Sequence, residues 1–190
     1  MRTAEIFTSG GGKVVARIAI RRARPEDADI IASHRARIFL EAAHRPLEDG
    51  AKLMSALVPF LWSALEYGEY QGWLATTEEG RVVGGAGVQV RQMVPRLDVL
   101  AGREALVMNI YVEMPFRRQG LARRLLDAVM RWCASQGIQR VVLHATPMAR
   151  GLYQSAGFVP TGEMVHRTQP TSIAECCGTA EHLIPLEALE

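Results

Sequence analysis

Apolar residues recur along the chain with two spacings, one typical of helices and one typical of strands. Positions three or four residues apart predict helices over residues 28–43, 49–67 and 122–133. Thr146 followed by Pro147 is typical of a helix start and predicts a short fourth helix. Alternating or continuously apolar segments predict strands over residues 14–22, 72–77, 81–92, 105–112, 139–145, 158–167 and 181–186.

Proline and glycine set the expected limits of these elements. Pro25, followed by acidic residues, predicts the start of the first helix, and Gly137 predicts the end of the third. Pro59 lies inside the second helical segment, where we expect it to kink or split the helix. Residues 78–80 predict a hairpin turn. Three glycines in the following strand predict a bulge or a close approach by another backbone: Gly84, Gly85 and Gly87.

The order of these elements predicts the fold class. Neighbouring strands joined by hairpins, followed by a strand-helix-strand unit, indicate a mixed sheet with helices on its faces, which is an α+β fold and not a doubly wound sheet. We expect residues 14–190 to form one domain, preceded by a flexible tail over residues 1–13 that contains Ser9 and three glycines.

Composition narrows the classes of function. The chain has 22% charged residues and a net charge of +2, so neither a nucleic acid nor a membrane surface is the expected partner. Its three cysteines form no disulfide framework, and neither cysteine nor histidine has metal-ligand spacing, so we expect a cytoplasmic protein without a metal. Residues 1–13 lack the apolar centre of a signal peptide.

The clearest chemical signal follows the apolar strand at residues 105–112. A loop rich in arginine leads there from the strand into the start of an amphipathic helix. Unpaired backbone N–H groups and the positive end of the helix dipole converge at such a junction, which predicts a site for a phosphate group. Two other glycine clusters do not fit a nucleotide loop: Phe7 stands where a Walker loop needs its first glycine, and no helix follows Gly85-Ala-Gly87.

The arginine-rich stretch resembles the pyrophosphate loop of the GNAT acyltransferase superfamily. The family pattern is Arg or Gln, two residues, Gly, one residue, and Gly or Ala, and the sequence reads Arg117-Arg-Gln-Gly120-Leu-Ala122. A second block of the family pattern follows about 30 residues later, from Ala149 through Tyr153 to Phe158. The resemblance covers roughly residues 17–165. It implies a mostly antiparallel central sheet with helices on both faces and a splayed central strand pair.

The resemblance also implies how acetyl-CoA would bind. Gly120 and Ala122 must be small because the backbone itself wraps around the pyrophosphate. By resemblance, N–H groups from Arg118, Gln119, Gly120, Leu121, Ala122 and Arg123 line that site, and Arg117 or Arg118 adds charge. The pantetheine arm would pair with the splayed strand at Ile110, Tyr111 and Val112. Ala149 belongs to the second block, and Thr146 stands where the family usually has asparagine, which puts one pantetheine contact in doubt.

The chemistry implied by the resemblance needs an oxyanion donor, an acid and a base. The backbone N–H near Tyr111 is the family-like oxyanion donor, and Tyr153 matches the usual proton donor to the departing thiolate. Glu104 is the candidate base. Glu113 and Tyr111 lie further along the same strand, where a bulge would change which side chain faces the cleft, and ordered water is the alternative. His144 ends a strand near the same cleft and is a candidate proton relay; the alternative is a structural role.

The sequence therefore resembles an N-acetyltransferase that moves an acetyl group from acetyl-CoA directly to a primary amine. The acceptor is unknown, and a homodimer is left open. No cysteine near the second block can act as a nucleophile, which favours direct transfer. A non-catalytic acyl-CoA sensor is the main alternative. A nucleic-acid-binding domain is disfavoured by the near-neutral charge.

Overall fold

The computed structural model describes residues 4–7, 13–43, 47–97 and 99–166. Two strands form a separate antiparallel pair, β1 (Ala4–Phe7) and β2 (Lys13–Ala16). Five others form the central sheet in the order β3-β4-β5-β6-β7. Their bounds are Ala19–Arg22, Tyr70–Thr76, Val82–Gln92, Arg103–Val112 and Arg140–Leu143. Only β6 and β7 pair in parallel, so the predicted mixed, mostly antiparallel sheet is confirmed.

Four α-helices accompany the sheet in the described residues. They are α1 (Ala28–Ala43), α2 (Leu47–Glu66), α3 (Leu121–Ser135) and α4 (Arg150–Ser155). Short 3₁₀ segments precede α1, α3 and α4, at Pro25–Asp27, Met114–Phe116 and Pro147–Ala149.

Side-chain alternation along β4 shows how the helices cover both faces of the sheet. Trp73 and Ala75 pack into the core that includes the apolar stripe of α3, whereas Tyr70 and Leu74 pack with α1 and α2. Because successive strand residues point to opposite faces, α3 lies on one face and the α1–α2 pair on the other. The predicted α+β architecture with helices on both faces is therefore confirmed.

Four predicted elements differ from the observed ones. The predicted strand 14–22 is broken into β2 and β3, which belong to different sheets, because pairing partners are not encoded in local alternation. Residues 4–7, predicted as part of a flexible tail, form the strand β1. The helix α2 continues through Pro59 and is not split, since proline removes only one bond of the helix ladder.

The predicted strand over residues 158–167 is wrong for the part that is described. Residues 158–166 form no strand, and Val159, Met164 and Val165 are exposed. An alternating sequence cannot form a strand without a partner strand, and no described residue pairs with residues 158–166. The predicted strand 181–186 lies outside the described residues.

Candidate functional site

The parallel strands β6 and β7 are paired over only part of their length. Their register runs from Glu104 opposite Arg140 to Val107 opposite Leu143, where β7 ends. The strand β6 continues for five more residues, 108–112, which have no described neighbour on the β7 side. An extended group can therefore add to this backbone as a further strand would.

A bulge in β6 lies at the start of this unpaired segment. On β5, Gly85 is opposite Tyr111 and Gly87 is opposite Met108, so Ala86 alone faces two residues of β6. One of the two, Asn109, has a left-handed backbone with φ of 57°. This geometry is typical of a bulge, and asparagine tolerates it better than most residues.

The bulge also changes which residues of β6 face each helix layer. Before it, Ala105 and Val107 pack on the α3 side, and after it Ile110 and Val112 do. Tyr111 consequently points toward α1, where its ring lies 4.9 Å from that of His34. Simple alternation along the sequence does not predict this switch.

Asn109 is held by hydrogen bonds at both ends of its amide. Arg35 on α1 donates to its Oδ1 at 2.8 Å, and its Nδ2 donates to the hydroxyl of Tyr70 at 2.9 Å. Tyr70 is fully buried, and burial raises its pKa to about 12 although the bond from Asn109 and the charge of Arg35 act against this. The hydroxyl fits only because Gly87 lacks a side chain, since an added Cβ there would lie 1.7 Å from it. The approach at Gly87 is by a side chain, whereas the predicted close approach by another backbone is found at Gly84, where an added Cβ would lie 2.8 Å from the carbonyl oxygen of Tyr111.

The loop between β6 and α3 presents a run of backbone donors. Arg118 and Gly120 both have left-handed φ values, 62° and 76°. Within the described part of the chain, the N–H groups of residues 118–123 donate no hydrogen bond, while the next one, from Arg124, bonds to the Gly120 carbonyl at 3.1 Å. A Cβ on Gly120 would meet nothing within 4 Å, so the space beside it is open. These are the six donors that the family resemblance implies for a pyrophosphate site, and a run of N–H groups without partners suits an anion.

The arginines around this loop are largely engaged by the protein itself. Arg117 donates to the Val112 carbonyl at 2.8 Å and forms an ion pair with Glu41 at 2.8 Å. Glu41 also accepts a hydrogen bond from the hydroxyl of Tyr111 at 3.2 Å. Arg123 pairs with Asp127 at 2.8 Å. The guanidinium of Arg117 is therefore already engaged by Val112 and Glu41.

The second sequence block places a buried tyrosine beside β7. Tyr153 on α4 is 9% exposed and stacks edge-on against Phe158 at 6.0 Å. Burial raises the pKa of its phenol, so it stays protonated at neutral pH. Its side chain lines a cavity of about 580 Å³ together with His144 and residues of β7. His144 is exposed and lies 3.6 Å from Glu163.

Thr146 and Ala149 form the turn that leads into α4. The predicted N-cap is only partly correct, because the Thr146 hydroxyl makes no capping hydrogen bond. Its carbonyl instead accepts a bond from the Ala149 N–H at 3.0 Å.

Glu104 lies at the far end of the paired segment of β6. It forms ion pairs with Arg91 and with Arg140, the latter at 3.0 Å. Burial alone would raise the pKa of the Glu104 carboxyl, but the hydrogen bonds and charges of the two arginines lower it below its ordinary value. Asn109 is five residues further on, about 16 Å along an extended strand. These contacts favour a structural role for Glu104.

Arg35, Asn109 and Glu41 were not singled out by the sequence, and neither was the contact of Asn109 with Tyr70. They come from α1, β4 and β6, and only the packing of α1 on the sheet brings them together. An asparagine inside an otherwise apolar strand was the one available signal, since asparagine is enriched at left-handed positions.

Neither a metal cluster nor a membrane-spanning helix is found in the part of the chain that the structure describes. No group of three or more His, Cys, Asp or Glu side chains in the described ranges is arranged to hold a metal ion. Among the helices that the structure describes, none has the length and hydropathy needed to span a bilayer.

Comparison with known sequences finds one family and several relatives. The model of the Acetyltransferase (GNAT) family matches residues 37–158. Human N-acetyltransferase 8 is 34% identical over 95 residues, which are 48% of this chain and 39% of that protein. Rat N-acetyltransferase family 8 member 3 is 31% identical over 98 residues, 50% of this chain and 40% of that protein. The chain thus spans about two fifths of the length of these curated relatives.

Solved structures resemble the fold over four fifths of the chain. A GCN5-related N-acetyltransferase from Ralstonia eutropha JMP134 superimposes with a TM-score of 0.75 and 28% identity, covering 80% of this chain and 99% of that one. A predicted acetyltransferase from Clostridium acetobutylicum, solved with acetyl-CoA, gives a TM-score of 0.73 at 22% identity, covering 80% and 96%. The second likeness concerns the fold alone.

Proposed function

The chain belongs to the GNAT acetyltransferase family, and from this premise we propose that it transfers an acetyl group from acetyl-CoA directly to a primary amine. The observation that carries the proposal is a run of six N–H groups at residues 118–123 that have no hydrogen-bond partner in the described structure. They lie next to strand β6, whose residues 108–112 have no described neighbour on the β7 side. One feature suits the pyrophosphate and the other suits the pantetheine arm of the same ligand.

Binding of the pyrophosphate falls to the backbone of the loop. Arg118, Gln119, Gly120, Leu121, Ala122 and Arg123 contribute their N–H groups, which need no reorganisation because the left-handed residues already turn the chain around the site. Gly120 keeps the space open, and the start of α3 adds the positive end of its dipole. Arg117 secures the strand-to-loop junction through Val112 and Glu41.

Alignment of the thioester falls to the end of β6. Ile110, Tyr111 and Val112 offer backbone groups to the pantetheine arm, and an N–H near Tyr111 stabilises the negative charge that develops on the carbonyl oxygen. The bulge at Asn109 turns this part of the backbone out of the regular ladder. By resemblance to the family, Thr146 and Ala149, in the turn that follows β7, are assigned to the binding of acetyl-CoA.

Proton transfers complete the reaction. Tyr153 donates its phenolic proton to the departing thiolate, for which its raised pKa keeps it in the acid form. The amine must lose a proton before attack. We assign this step to ordered water, because Glu104 is neutralised by two arginines and lies far along β6.

Release of free thiol from acetyl-CoA, measured across a panel of amines and peptides, tests the proposal. Thiol release that depends on the added amine, with formation of the N-acetylated product, is the expected result. Acetyl-CoA binding without turnover on any acceptor would instead favour the acyl-CoA sensor.

A further inference from the structure

Arg35 carries a positive charge into the α1 layer without a negative partner. The side chain is half-buried, and burial lowers the pKa of its guanidinium from the ordinary value without making it neutral at physiological pH. Its hydrogen bond and its ring contact are both with neutral groups, the Oδ1 of Asn109 at 2.8 Å and the ring face of Phe39 at 5.1 Å. No carboxylate of the described residues forms an ion pair with it.

Other arginines of the same region are compensated. Arg117 pairs with Glu41, and Arg37, two residues further along α1, pairs with Glu113 at 3.8 Å. A guanidinium has five N–H donors, and the bond to Asn109 uses one nitrogen of Arg35. Desolvated charges in proteins are normally paired, so a half-buried arginine with only neutral partners is suited to receive an anion from outside the chain.

The position of Arg35 connects this charge to the reacting end of the cleft. Its hydrogen-bond partner Asn109 is the bulge residue at which β6 leaves its pairing with β7. The next two residues, Ile110 and Tyr111, are those assigned to the thioester in the proposed function. An anion held by Arg35 would therefore lie near the strand segment that the proposed function assigns to acyl transfer.

We propose that the acceptor is an amine that also carries a carboxylate, and that Arg35 binds this carboxylate while the amine faces the thioester. This inference rests on the proposed function and names the substrate class for the same site. The planar fork of the guanidinium matches the two oxygens of a carboxylate, and Asn109 holds the fork in place. Phe39, which is 45% exposed beside Arg35, offers an apolar surface to the rest of the acceptor.

Matched pairs of amines test the carboxylate. Phenylalanine, leucine, β-alanine and 4-aminobutyrate are each compared with their carboxamides, by thiol release from acetyl-CoA. We expect a preference in kcat/KM for the carboxylate of at least one pair by about tenfold to a hundredfold, the range of a charge-assisted hydrogen bond. For the α-amino acids, intrinsic reactivity favours the carboxamide, because its amine loses a proton more readily. A preference for the carboxylate would therefore have to come from the protein.

The variant Arg35→Gln then tests the residue. We expect it to abolish the preference mainly by raising KM for the carboxylate, while the thermal shift produced by acetyl-CoA is unchanged. A purely structural role of Arg35, acting through Asn109 and the bulge, would lower kcat/KM for both members of a pair and leave their ratio unaltered. Arg37→Gln is the matched control on the same helix. Its ratio of kcat/KM for the carboxylate to kcat/KM for the carboxamide should equal that of the wild type.

Three results would count against the inference, and only the third would also overturn the proposed function. Turnover of amines without preference for a carboxylate, or a ratio unaltered by Arg35→Gln, overturns the role of Arg35 and leaves the acetyltransferase assignment standing. Absence of amine-dependent thiol release from any acceptor overturns the proposed function together with this inference.

Discussion

At the scale of single residues, the proposed site depends on the missing side chain of Gly120 and on the raised pKa of the buried Tyr153 phenol. Gly120 combines a left-handed backbone with open space where a side chain would point. Tyr153 combines burial with a raised pKa. A glycine in a turn or a buried tyrosine can also serve the fold alone. Each functional role therefore needs a variant that affects ligand binding or turnover without affecting folding.

Gly120→Glu should abolish binding of acetyl-CoA, because a carboxylate would occupy and repel the pyrophosphate position. The readout is the thermal shift produced by acetyl-CoA. Gly120→Ala is the matched control, since both variants share the cost of a Cβ at positive φ, about 1 kcal/mol. A shift retained in the glutamate variant would contradict the assignment of the loop.

Tyr153→Phe should lower kcat by about 100-fold, the lower end of the usual range for general acid catalysis, while the affinity for acetyl-CoA is unchanged. The buried ring remains, so stability should change little. Steady-state kinetics and a binding titration check the two expectations. Since burial raises the pKa of Tyr153, the wild type should also keep this acid function up to at least about pH 10. An unchanged kcat in the variant would remove Tyr153 as the acid.

Glu104→Gln should reduce kcat by less than about tenfold if ordered water takes the proton of the amine. The reason is that Arg91 and Arg140 already neutralise the carboxylate. The measurement is the pH profile of kcat/KM. Loss of its ascending limb in the variant, with retained acetyl-CoA binding, would restore Glu104 as the base.

At the scale of elements, a short polar network shapes the strand that carries the reaction. Arg35 on α1, Tyr70 on β4 and Asn109 on β6 are joined by two hydrogen bonds across three elements. The network fixes the side chain of the bulge residue, and Gly87 on β5 provides the room for it. Packing in one layer thereby sets the direction of the backbone at the end of β6.

Gly87→Ala should disturb this arrangement, because the added Cβ would lie 1.7 Å from the Tyr70 hydroxyl and one of them must move. We expect a loss of stability of about 1–3 kcal/mol, typical of overpacking, together with reduced turnover. Denaturant unfolding and kinetics measure the two effects. Gly162→Ala is the control, since a Cβ there meets nothing within 4 Å. Equal stability of the two variants would show that Tyr70 is not tightly constrained.

At the scale of the whole molecule, α1 is joined to the sheet through buried polar groups as well as apolar ones. His34 is 1% exposed between α1 and the sheet, and its Nε2 has no hydrogen-bond partner in the described structure. Burial and the charge of Arg37 lower the pKa of His34 to about 4, with Glu113 acting in the opposite direction. The layer is therefore assembled around a neutral imidazole.

Stability should consequently fall as the pH is lowered. In the unfolded state His34 binds a proton near pH 6.5, whereas in the folded state it does so only near pH 4. The free energy of unfolding is therefore highest above about pH 6.5 and falls as the pH is lowered toward 4. The expected loss is at most about 3 kcal/mol. Urea unfolding across this range measures it, and His34→Gln should show a shallower slope. Equal slopes would assign the acid sensitivity to other groups.

Much of this protein could be predicted from local sequence because local spacing determines which face of an element is apolar. The helices α1 and α3 and the hairpin of β4 and β5 all depend on neighbours within a few residues. The pairing of strands in a sheet does not depend on such neighbours, because the partner strand can lie far away in the chain. The break between β2 and β3, and the absence of a strand over residues 158–166, were therefore missed.

The sequence by itself determined the family resemblance, the fold class and the loop with its small residues, since these are properties of contiguous segments. Only the tertiary structure decided where β6 and β7 separate, which way Tyr111 faces after the bulge, and that Glu104 is held by two arginines. It also brought Arg35 to Asn109, residues 74 positions apart in the chain. The physical reason is that hydrogen bonds and charge compensation between distant residues exist only once the layers have packed.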